Sequence, residues 1–281
     1  MSLIPKKIYQ SWKTKNLPTD MKRIVDKTIA DNPEYVHELW DDKDCYDFLL
    51  ENFGKNYANV FDVLIPGAFK CDFWRYAILY VKGGVYMDLD MNAVVPFRDI
   101  LKPTDRFVSI VDQDSLFKPR CAIYQAFMAC EPKHPIMLSS LEIAYYNIVT
   151  RRYDVFSSLS ITGPVVVGIA MNLYWNKFST FERIEPGEYD ADGIRLFQMN
   201  PVKTWDKDGK VIFYNKFEGY TRGTGDYTMT TSYYKDDPGR GRREFIKRTI
   251  IGLILFVIVA SVLIVLFRNR WKRCVKSCNL N

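Results

Sequence analysis

Two aspartates separated by one residue carry the strongest chemical signal in this chain. Asp88 and Asp90 end the apolar segment ILYVKGGVYMDLDM at residues 78–91, which we interpret as a buried β-strand. Because side chains alternate across a strand, both carboxylates are expected on one side of the sheet. Two neighbouring acids in apolar surroundings repel each other and lose hydration, so they favour a neutralising cation. Oxygen ligands suit Mg²⁺ or Mn²⁺, which keep positions open for phosphates, so the pair predicts an enzyme that acts on a nucleotide diphosphate.

Two other interpretations of this pair stay open. The carboxylates could be unrelated surface acids or helix N-caps, although Gly83, Gly84 and the apolar residues around them disfavour this. Phosphatases with an aspartate nucleophile also carry Asp-x-Asp after an apolar strand, followed two residues later by Thr or Val and close to the start of the domain. Here Asn92 occupies that position, and more than eighty residues precede the pair.

A charged pair lies in the helix predicted at residues 68–82, which Gly83 ends. Asp72 and Arg75 are three residues apart and therefore share a helix face. They could form a structural ion pair that tethers the helix. Alternatively, Arg75 could face a cleft and bind a phosphate or sugar hydroxyl, with Asp72 accepting from a hydroxyl. The bare sequence favours neither interpretation.

Alternating strands and helices must position these residues. Strands are predicted at residues 6–12, 35–40 and 107–111, and helices at residues 20–32, after the turn at 41–44, and from Pro164 onward. Such alternation indicates an α/β sheet. Asp112 and Asp114 follow the third of these strands, and residues 157–163 lead into the helix at Pro164. The Tyr, Gly and Thr content of residues 202–234 predicts β-hairpins and a loop over a site, or a plain surface loop.

The C-terminal region differs from the rest of this 281-residue, 48% apolar chain. Residues 250–267, IIGLILFVIVASVLIVLF, carry no charge and just reach the length of a transmembrane helix. We therefore predict one catalytic domain (1–239), a basic juxtamembrane linker (240–249), a transmembrane helix (250–267) and a short basic tail (268–281). Because no signal peptide is recognisable at the N-terminus, tail-anchored insertion with a cytosolic domain is the default, and a luminal domain stays open.

Composition disfavours several classes of function. Much of the net charge of +6 lies beside the predicted span, which indicates contact with membrane lipid rather than nucleic acid. The six cysteines form no CxxC pair in the large domain, so a zinc site is not expected. The two histidines support neither a catalytic triad nor a histidine metal site. Cys274 and Cys278 follow the span, where they could be acylated or remain ordinary thiols.

Several motifs together resemble those of the DXD-motif sugar transferases, glycosyltransferase family 32, which includes initiating α-1,6-mannosyltransferases, inositol phosphoceramide mannosyltransferases and capsular sugar transferases. The matching segments are IPKKIYQSW at residues 4–12, LWDD at 39–42, CDFWRY at 71–76, GGVYMDLD at 83–90 and, more weakly, ITGP at 161–164. A lone DxD is a weak signal, but DxxRY followed by GGVYxDxD at this spacing is highly specific.

This resemblance implies a GT-A type, Rossmann-like domain that binds a nucleotide-diphosphate sugar and retains the anomeric configuration. GDP-mannose is favoured as the donor and a UDP-hexose is possible, with a glycan or glycolipid as the acceptor. Asp88 and Asp90 would hold Mn²⁺ or Mg²⁺ and the donor diphosphate, while Asp72 and Arg75 would contact the ribose and sugar. The remaining donor-binding residues implied are Ile8, Tyr9, Gln10, Trp12 and Gly84. Catalytic roles fall to Asp88, Asp90 and Arg75.

The chain departs from the family pattern at two points. Tyr9 replaces the usual His, and Lys70 and Cys71 stand where Arg-Ala is common, so base or sugar selectivity could differ. Little family pattern continues beyond about residue 170, so acceptor residues are not assigned; Asp226, in the loop at 223–227, is only a candidate. The competing class is a non-catalytic, membrane-anchored carbohydrate-binding relative, which would be signalled by loss of either DxD carboxylate.

Overall fold

The computed structural model describes residues 2–113, 119–153, 160–216, 233–237 and 240–278. Its strands are β1 (Lys7–Ser11), β2 (Val36–Trp40), β3 (Gly84–Met87), β4 (Asn92–Ala93), β5 (Phe107–Val111), β6 (Ile123–Cys130), β7 (Gly187–Tyr189), β8 (Ile194–Met199), β9 (Lys203–Trp205) and β10 (Val211–Tyr214). Its α-helices are α1 (Thr19–Asp31), α2 (Asp42–Phe53), α3 (Lys55–Val63), α4 (Gly67–Lys82), α5 (Phe97–Ile100), α6 (Pro135–Val149), α7 (Pro164–Tyr174) and α8 (Arg240–Cys278). The predicted α/β fold is confirmed.

The strands form one mixed sheet in the order β2-β1-β3-β6-β5-β8-β9-β10-β4, with β7 paired to β8. β1 runs parallel to both of its neighbours, β2 and β3, whereas β3 and β6 are antiparallel. The carboxyl ends of three adjacent strands therefore meet at one edge of the sheet. Open α/β sheets commonly bind their ligands at such an edge.

Most of the predicted elements are present. β1, β2, β5, α1 and α4 begin and end within one residue of their predicted bounds. The predicted turn before α2 is a capping box, in which Asp41 accepts from the Asp44 backbone amide at 3.0 Å and Asp44 accepts from that of Asp41 at 3.2 Å. β9 and β10 confirm a hairpin in the region at 202–234, while residues 217–232 lie outside the described part of the chain.

The prediction of a strand over residues 78–91 was wrong at both ends, because the observed strand is shorter. Residues 78–82 belong to α4, β3 ends at Met87, and Leu89 and Asp90 form a turn. Gly83 and Gly84 reverse the chain between α4 and β3, with φ values of 60° and 105° that favour glycine. A turn, rather than alternation along a strand, therefore brings Asp90 near Asp88.

Apolar side chains pack on both faces of the sheet. α4, α6 and α7 contribute to the larger core together with Tyr86, whereas Val85 and Met87 of the same strand face a second core. Every residue of β3 is buried as a result. The residues that follow this strand therefore leave the sheet from a rigid position.

The C-terminal helix α8 includes residues 250–267. Its described large apolar side chains from Ile250 to Ile264 are exposed. Across the described ranges, no helix meets the combined length and hydropathy of a membrane-crossing segment. The predicted transmembrane helix is not confirmed.

His134 makes the stability of the folded protein depend on pH. It precedes α6, is 1% exposed, and its Nδ1 accepts from the Ile136 backbone amide at 3.3 Å. Burial lowers the pKa of His134 to about 4, and Arg106 acts in the same direction, while Glu131 and Asp192 oppose it. The folded protein therefore holds a neutral imidazole that the unfolded chain protonates near pH 6.5.

Acidification should destabilise the protein through His134. Because the folded pKa lies below the unfolded one, the stabilisation is complete above about pH 6.5 and is lost as the pH falls towards 4. We expect a loss of about 3 kcal/mol in the free energy of unfolding from this group. Urea unfolding at pH 7 and pH 4 should show a smaller loss for His134→Asn, which keeps an N-cap acceptor but does not titrate. Equal losses in both proteins would contradict the assignment.

Candidate active site

Asp88 lies at the sheet edge where β1, β2 and β3 end. Its backbone amide donates to the Ala126 carbonyl of β6 at 2.8 Å, which fixes the main chain as it leaves β3. Its Oδ1 accepts from the Tyr86 hydroxyl at 2.8 Å and from Arg75 Nη2 at 3.1 Å. The Asp88 side chain is 31% exposed, so one carboxylate is held from the protein side and still reaches solvent.

Arg75 is the buried cation behind this carboxylate. The residue is 3% exposed, and its guanidinium lies 4.3 Å from the centre of the Tyr86 ring. Nη1 donates to the Gln125 carbonyl at 2.7 Å, and Nη2 lies 3.4 Å from Asp72 Oδ1. Arg75 thus forms ion pairs with both Asp72 and Asp88. The ion pair with Asp72 that the sequence suggested is present, and Arg75 also lies directly beneath the site.

Asp72 is held by donors from two other elements. Its Oδ2 accepts from the Thr162 hydroxyl at 2.8 Å, and its Oδ1 accepts from the Gln125 side-chain amide. Burial raises the pKa of Asp72 to about 6, although Arg75 and Thr162 favour the ionised form. Gln125 also accepts from the Tyr76 hydroxyl at 3.1 Å, so one residue of β6 ties together several side chains of α4.

Asp90 forms the outer part of the site. Its Oδ2 lies 3.4 Å from Lys216 Nζ, and its side chain is 17% exposed. Burial and then the neighbouring Asp88 raise the pKa of Asp90 to about 6, whereas Lys216 opposes this shift. A second negative charge is therefore costly here unless a cation accompanies it.

The oxygen atoms of Asp88 and Asp90 fit a hard divalent cation. Within the described ranges there is no group of three or more His, Cys, Asp or Glu that could hold a metal ion. Mg²⁺ and similar ions need only one or two carboxylates when water and substrate phosphates complete their coordination. The two aspartates at the rim of the sheet suit that kind of site, and do not suit a closed structural metal site.

The remaining residues that the resemblance implied for donor binding lie in β1, just after it, or at the start of β3. The side chains of Ile8, Tyr9 and Gln10 are fully buried, and Gln10 Oε1 lies 2.8 Å from His37 Nε2. These three side chains lie within the interior at β1, and their predicted role in donor binding stays a prediction. Trp12 is half-buried beyond the end of β1, so it alone of these β1-region residues stands at the rim.

Gly84 has a structural reason for being glycine. It starts β3, at the opposite end of the strand from Asp88. A Cβ there would lie 2.9 Å from the Lys7 carbonyl oxygen and 3.0 Å from the Tyr9 ring, and its φ is positive. The structure therefore places Gly84 away from the two carboxylates, at a close approach between β1 and β3.

Sequence reasoning missed Gln125 and Lys216, and it named Cys71 only as a departure from the family pattern. Gln125 was not singled out, although it is a polar residue inside the apolar run IYQAFMAC of β6. No motif or pattern in the sequence around Lys216 pointed to a role in the site. Cys71 lies between the Ser11 and Tyr86 hydroxyls at 2.8 Å from each, which connects β1 to the same network.

Of the other residues named from the sequence, one lies at the same edge of the sheet and several lie outside the described ranges. Asp112 follows β5, and its backbone amide donates to Ala122 at 2.9 Å. Asp114, residues 157–159 and Asp226 with its loop at 223–227 lie outside the part of the chain that the structure describes. Thr162, from the weaker ITGP match, does belong to the network.

Comparison with known proteins identifies the same segment of the chain. Residues 18–108, which include Asp72, Arg75, Asp88 and Asp90, match the family model for the glycosyltransferase sugar-binding region containing the DXD motif. Inositol phosphoceramide mannosyltransferase 2 of Schizosaccharomyces pombe is 35% identical over 229 residues, covering 79% of this chain and 60% of that protein. Mannosyl phosphorylinositol ceramide synthase SUR1 of Saccharomyces cerevisiae is 27% identical over 214 residues, covering 73% of this chain and 53% of that protein.

The chain spans less than two thirds of the length of either relative. Among solved structures, PaToxG Glycosyltransferase aligns with a TM-score of 0.49 and 21% identity, over 61% of this chain and 70% of that one. The resemblance found in the sequence motifs is confirmed by the family model and by the relatives. Residues 18–108 of this chain match the glycosyltransferase sugar-binding region that contains the DXD motif, and the chain is similar to mannosyltransferases over a longer stretch.

Proposed function

We propose that the protein transfers a hexose, with mannose favoured, from a nucleotide-diphosphate sugar to a hydroxyl group of a glycan or glycolipid. A divalent cation, Mn²⁺ or Mg²⁺, would be held by Asp88 and Asp90, and the domain would be of the GT-A type. Asp88 carries this proposal: it is braced by buried Arg75 and by Tyr86 at the end of a parallel strand, with Asp90 in the next turn.

The relatives support the choice of sugar and acceptor. Two yeast proteins similar to this chain are named for the mannosylation of inositol phosphoceramide. An initiation-specific α-1,6-mannosyltransferase of Candida albicans is 33% identical over 112 residues. Mannose is therefore the favoured hexose, and both a lipid and a glycan are reasonable acceptor classes.

The chain's own residues would bind the donor and keep the carboxylates in place. The bound cation would offset charge on the departing diphosphate. Arg75 and Tyr86 hold Asp88 Oδ1 from behind, so its other oxygen is directed away from this pair of donors. Because these contacts exist before the donor binds, little reorganisation is needed when charge develops on the diphosphate.

The proposed reaction retains the configuration at the anomeric carbon. The bond from this carbon to the diphosphate oxygen breaks, and a bond to the acceptor oxygen forms on the same face of the sugar. The acceptor hydroxyl loses its proton to an oxygen of the departing diphosphate. This route requires no side-chain base.

A panel of nucleotide sugars tests the proposal. The full chain in detergent, incubated with Mn²⁺ and each donor in turn, should hydrolyse one donor slowly and transfer its sugar to a suitable lipid or glycan. GDP-mannose is the expected substrate, with the UDP-hexoses as the comparison. Binding of a donor without hydrolysis or transfer would favour a non-catalytic, carbohydrate-binding protein instead.

Asp88→Asn and Asp90→Asn should each abolish transfer while the protein stays folded. Each change removes a charged oxygen ligand but little volume. Mn²⁺ with GDP or UDP should raise the melting temperature of the unchanged protein, because a ligand of the native state alone shifts unfolding by mass action. Neither Asn variant should show this shift. Full activity in excess chelator would exclude the cation from the reaction.

Thr162 should affect the site through Asp72. Thr162→Val keeps the side-chain shape but leaves a buried carboxylate with one donor fewer, so we expect a loss of about 1–3 kcal/mol in unfolding free energy. Transfer should fall as well, because Asp72 helps to place Arg75 beneath Asp88. Thr162→Ser retains the hydroxyl and should restore most of both losses. Urea unfolding and initial rates provide the two measurements, and a Val variant that behaves like the Ser variant would refute the role.

Membrane attachment through residues 250–267 is part of the same proposal. The exposed apolar side chains described along α8 and the basic residues on either side support it. The span would hold the domain near a lipid acceptor and provide no catalytic group.

Removal of residues 240–281 should separate chemistry from attachment. The shortened protein should still hydrolyse its nucleotide sugar, whereas transfer to an acceptor in vesicles should fall because the local concentration is lost. Flotation with vesicles measures attachment in parallel. For the full chain in sealed microsomes, added protease should digest the large domain if it is cytosolic. A protected domain would reverse this orientation.

A further inference from the structure

Lys216 lies next to Asp90, just beyond the paired ends of β10 and β4. β10 and β4 pair antiparallel, with Phe213 opposite Ala93 and Tyr214 opposite Asn92. Lys216 follows β10 by two residues, and Asp90 precedes β4 by two residues. Lys216 Nζ lies 3.4 Å from Asp90 Oδ2.

The main chain before Lys216 is held firmly. Asn215 is 1% exposed, and its side-chain amide donates to the Asn200 carbonyl at 2.7 Å. Its Oδ1 accepts from the Thr204 hydroxyl at 2.7 Å, and its backbone amide donates to the Val202 carbonyl at 2.9 Å. The Lys216 side chain, 40% exposed, therefore extends from a fixed point towards the carboxylates on a flexible aliphatic stem.

This ammonium group and a divalent cation would have to share Asp90. Lys216 reduces the repulsion between Asp90 and the nearby Asp88 when no metal is present. A cation that binds both aspartates would repel Lys216, since like charges at short range destabilise each other. The conflict is relieved when a diphosphate brings additional negative charge and good acceptor oxygens to the same place.

We propose that Lys216 is an internal counter-cation for Asp90 that opposes metal binding to the empty site and binds the donor diphosphate once the metal is present. The proposal rests on the proposed function above. It makes the binding of metal and of nucleoside diphosphate mutually dependent. The diphosphate offsets the repulsion between the metal and Lys216, and the metal offsets the repulsion between the diphosphate and the two aspartates. Lys216 would then favour the complete donor complex over either ligand by itself.

Two affinities measured on the full chain in detergent test this coupling. The first is that of Mn²⁺ alone, measured by electron paramagnetic resonance. The second is that of GDP or UDP at saturating Mn²⁺, measured by calorimetry. Lys216→Met removes the charge at similar length, Lys216→Arg keeps it, and Lys203→Met on the adjacent strand β9 is the matched control, since its Nζ lies by the Tyr214 ring.

The two affinities should change in opposite directions in Lys216→Met. Mn²⁺ alone should bind about threefold more tightly or better, because a competing cation is gone. The nucleoside diphosphate with Mn²⁺ should bind at least about tenfold more weakly, because a charged hydrogen-bond donor is lost. Lys216→Arg should stay close to the unchanged protein in both measurements, and so should Lys203→Met.

The outcomes separate this inference from the proposed function. If the unchanged protein binds Mn²⁺ and nucleoside diphosphate but both affinities fall together, or neither moves, in Lys216→Met, then Lys216 is only a structural partner of Asp90. If no form of the protein binds Mn²⁺ or a nucleoside diphosphate, the proposed function fails and this inference fails with it. Melting temperatures confirm that each variant is folded.

Discussion

The buried positive charge of Arg75 is the constraint on which the rest of this site depends. An arginine that is 3% exposed has lost nearly all of its hydration, so the protein must compensate its charge. Asp72 and Asp88 provide the charge, and the guanidinium also contacts the Gln125 carbonyl, the Cys71 carbonyl and the Tyr86 ring. Because arginine stays protonated, it lowers the pKa of Asp72, which burial alone would raise further.

This compensation also determines how the surrounding elements pack. Arg75 and Asp72 belong to α4, Asp88 follows β3, Gln125 belongs to β6, and Thr162 precedes α7. Each contributes at least one hydrogen bond or ion pair to the same network, so their relative positions are coupled. Asp90, one turn further on, has only Lys216 as a described ion-pair partner. The site thus combines an inner carboxylate that is rigidly held with an outer one that has fewer constraints.

Much of this arrangement could be predicted from the sequence because it depends on local patterns. Helical spacing and glycine placement predicted α4, and the DxxRY and DxD motifs contain the acids that the structure brings together around Arg75. The strand assignment failed at Asp88 and Asp90 because a short apolar run does not distinguish a strand from a strand followed by a turn. Gln125 and Lys216 were missed for a different reason: each lies far along the chain from the residues it contacts, so the local sequence does not identify its partners.

The residues implied to contact the donor differ in burial and in their position relative to the two carboxylates. Asp72 and Arg75 lie at the site, but Ile8, Tyr9 and Gln10 are fully buried, and Gly84 is explained by the close approach of Lys7 and Tyr9. A shared motif therefore marks residues that build the site as well as residues that border it. Burial, which separates these two groups, is a property of the folded chain.

The burial of Arg75 also affects how genetic variants of this protein would be interpreted in a cell. A substitution there leaves carboxylates unpaired in the interior, so it weakens the fold and the site together. Chaperones and proteases remove chains that are often unfolded, and a change of one or two kcal/mol can alter abundance several-fold. A screen that scores only cellular phenotype would therefore report such variants as inactive when many are simply scarce, and would need protein levels measured alongside.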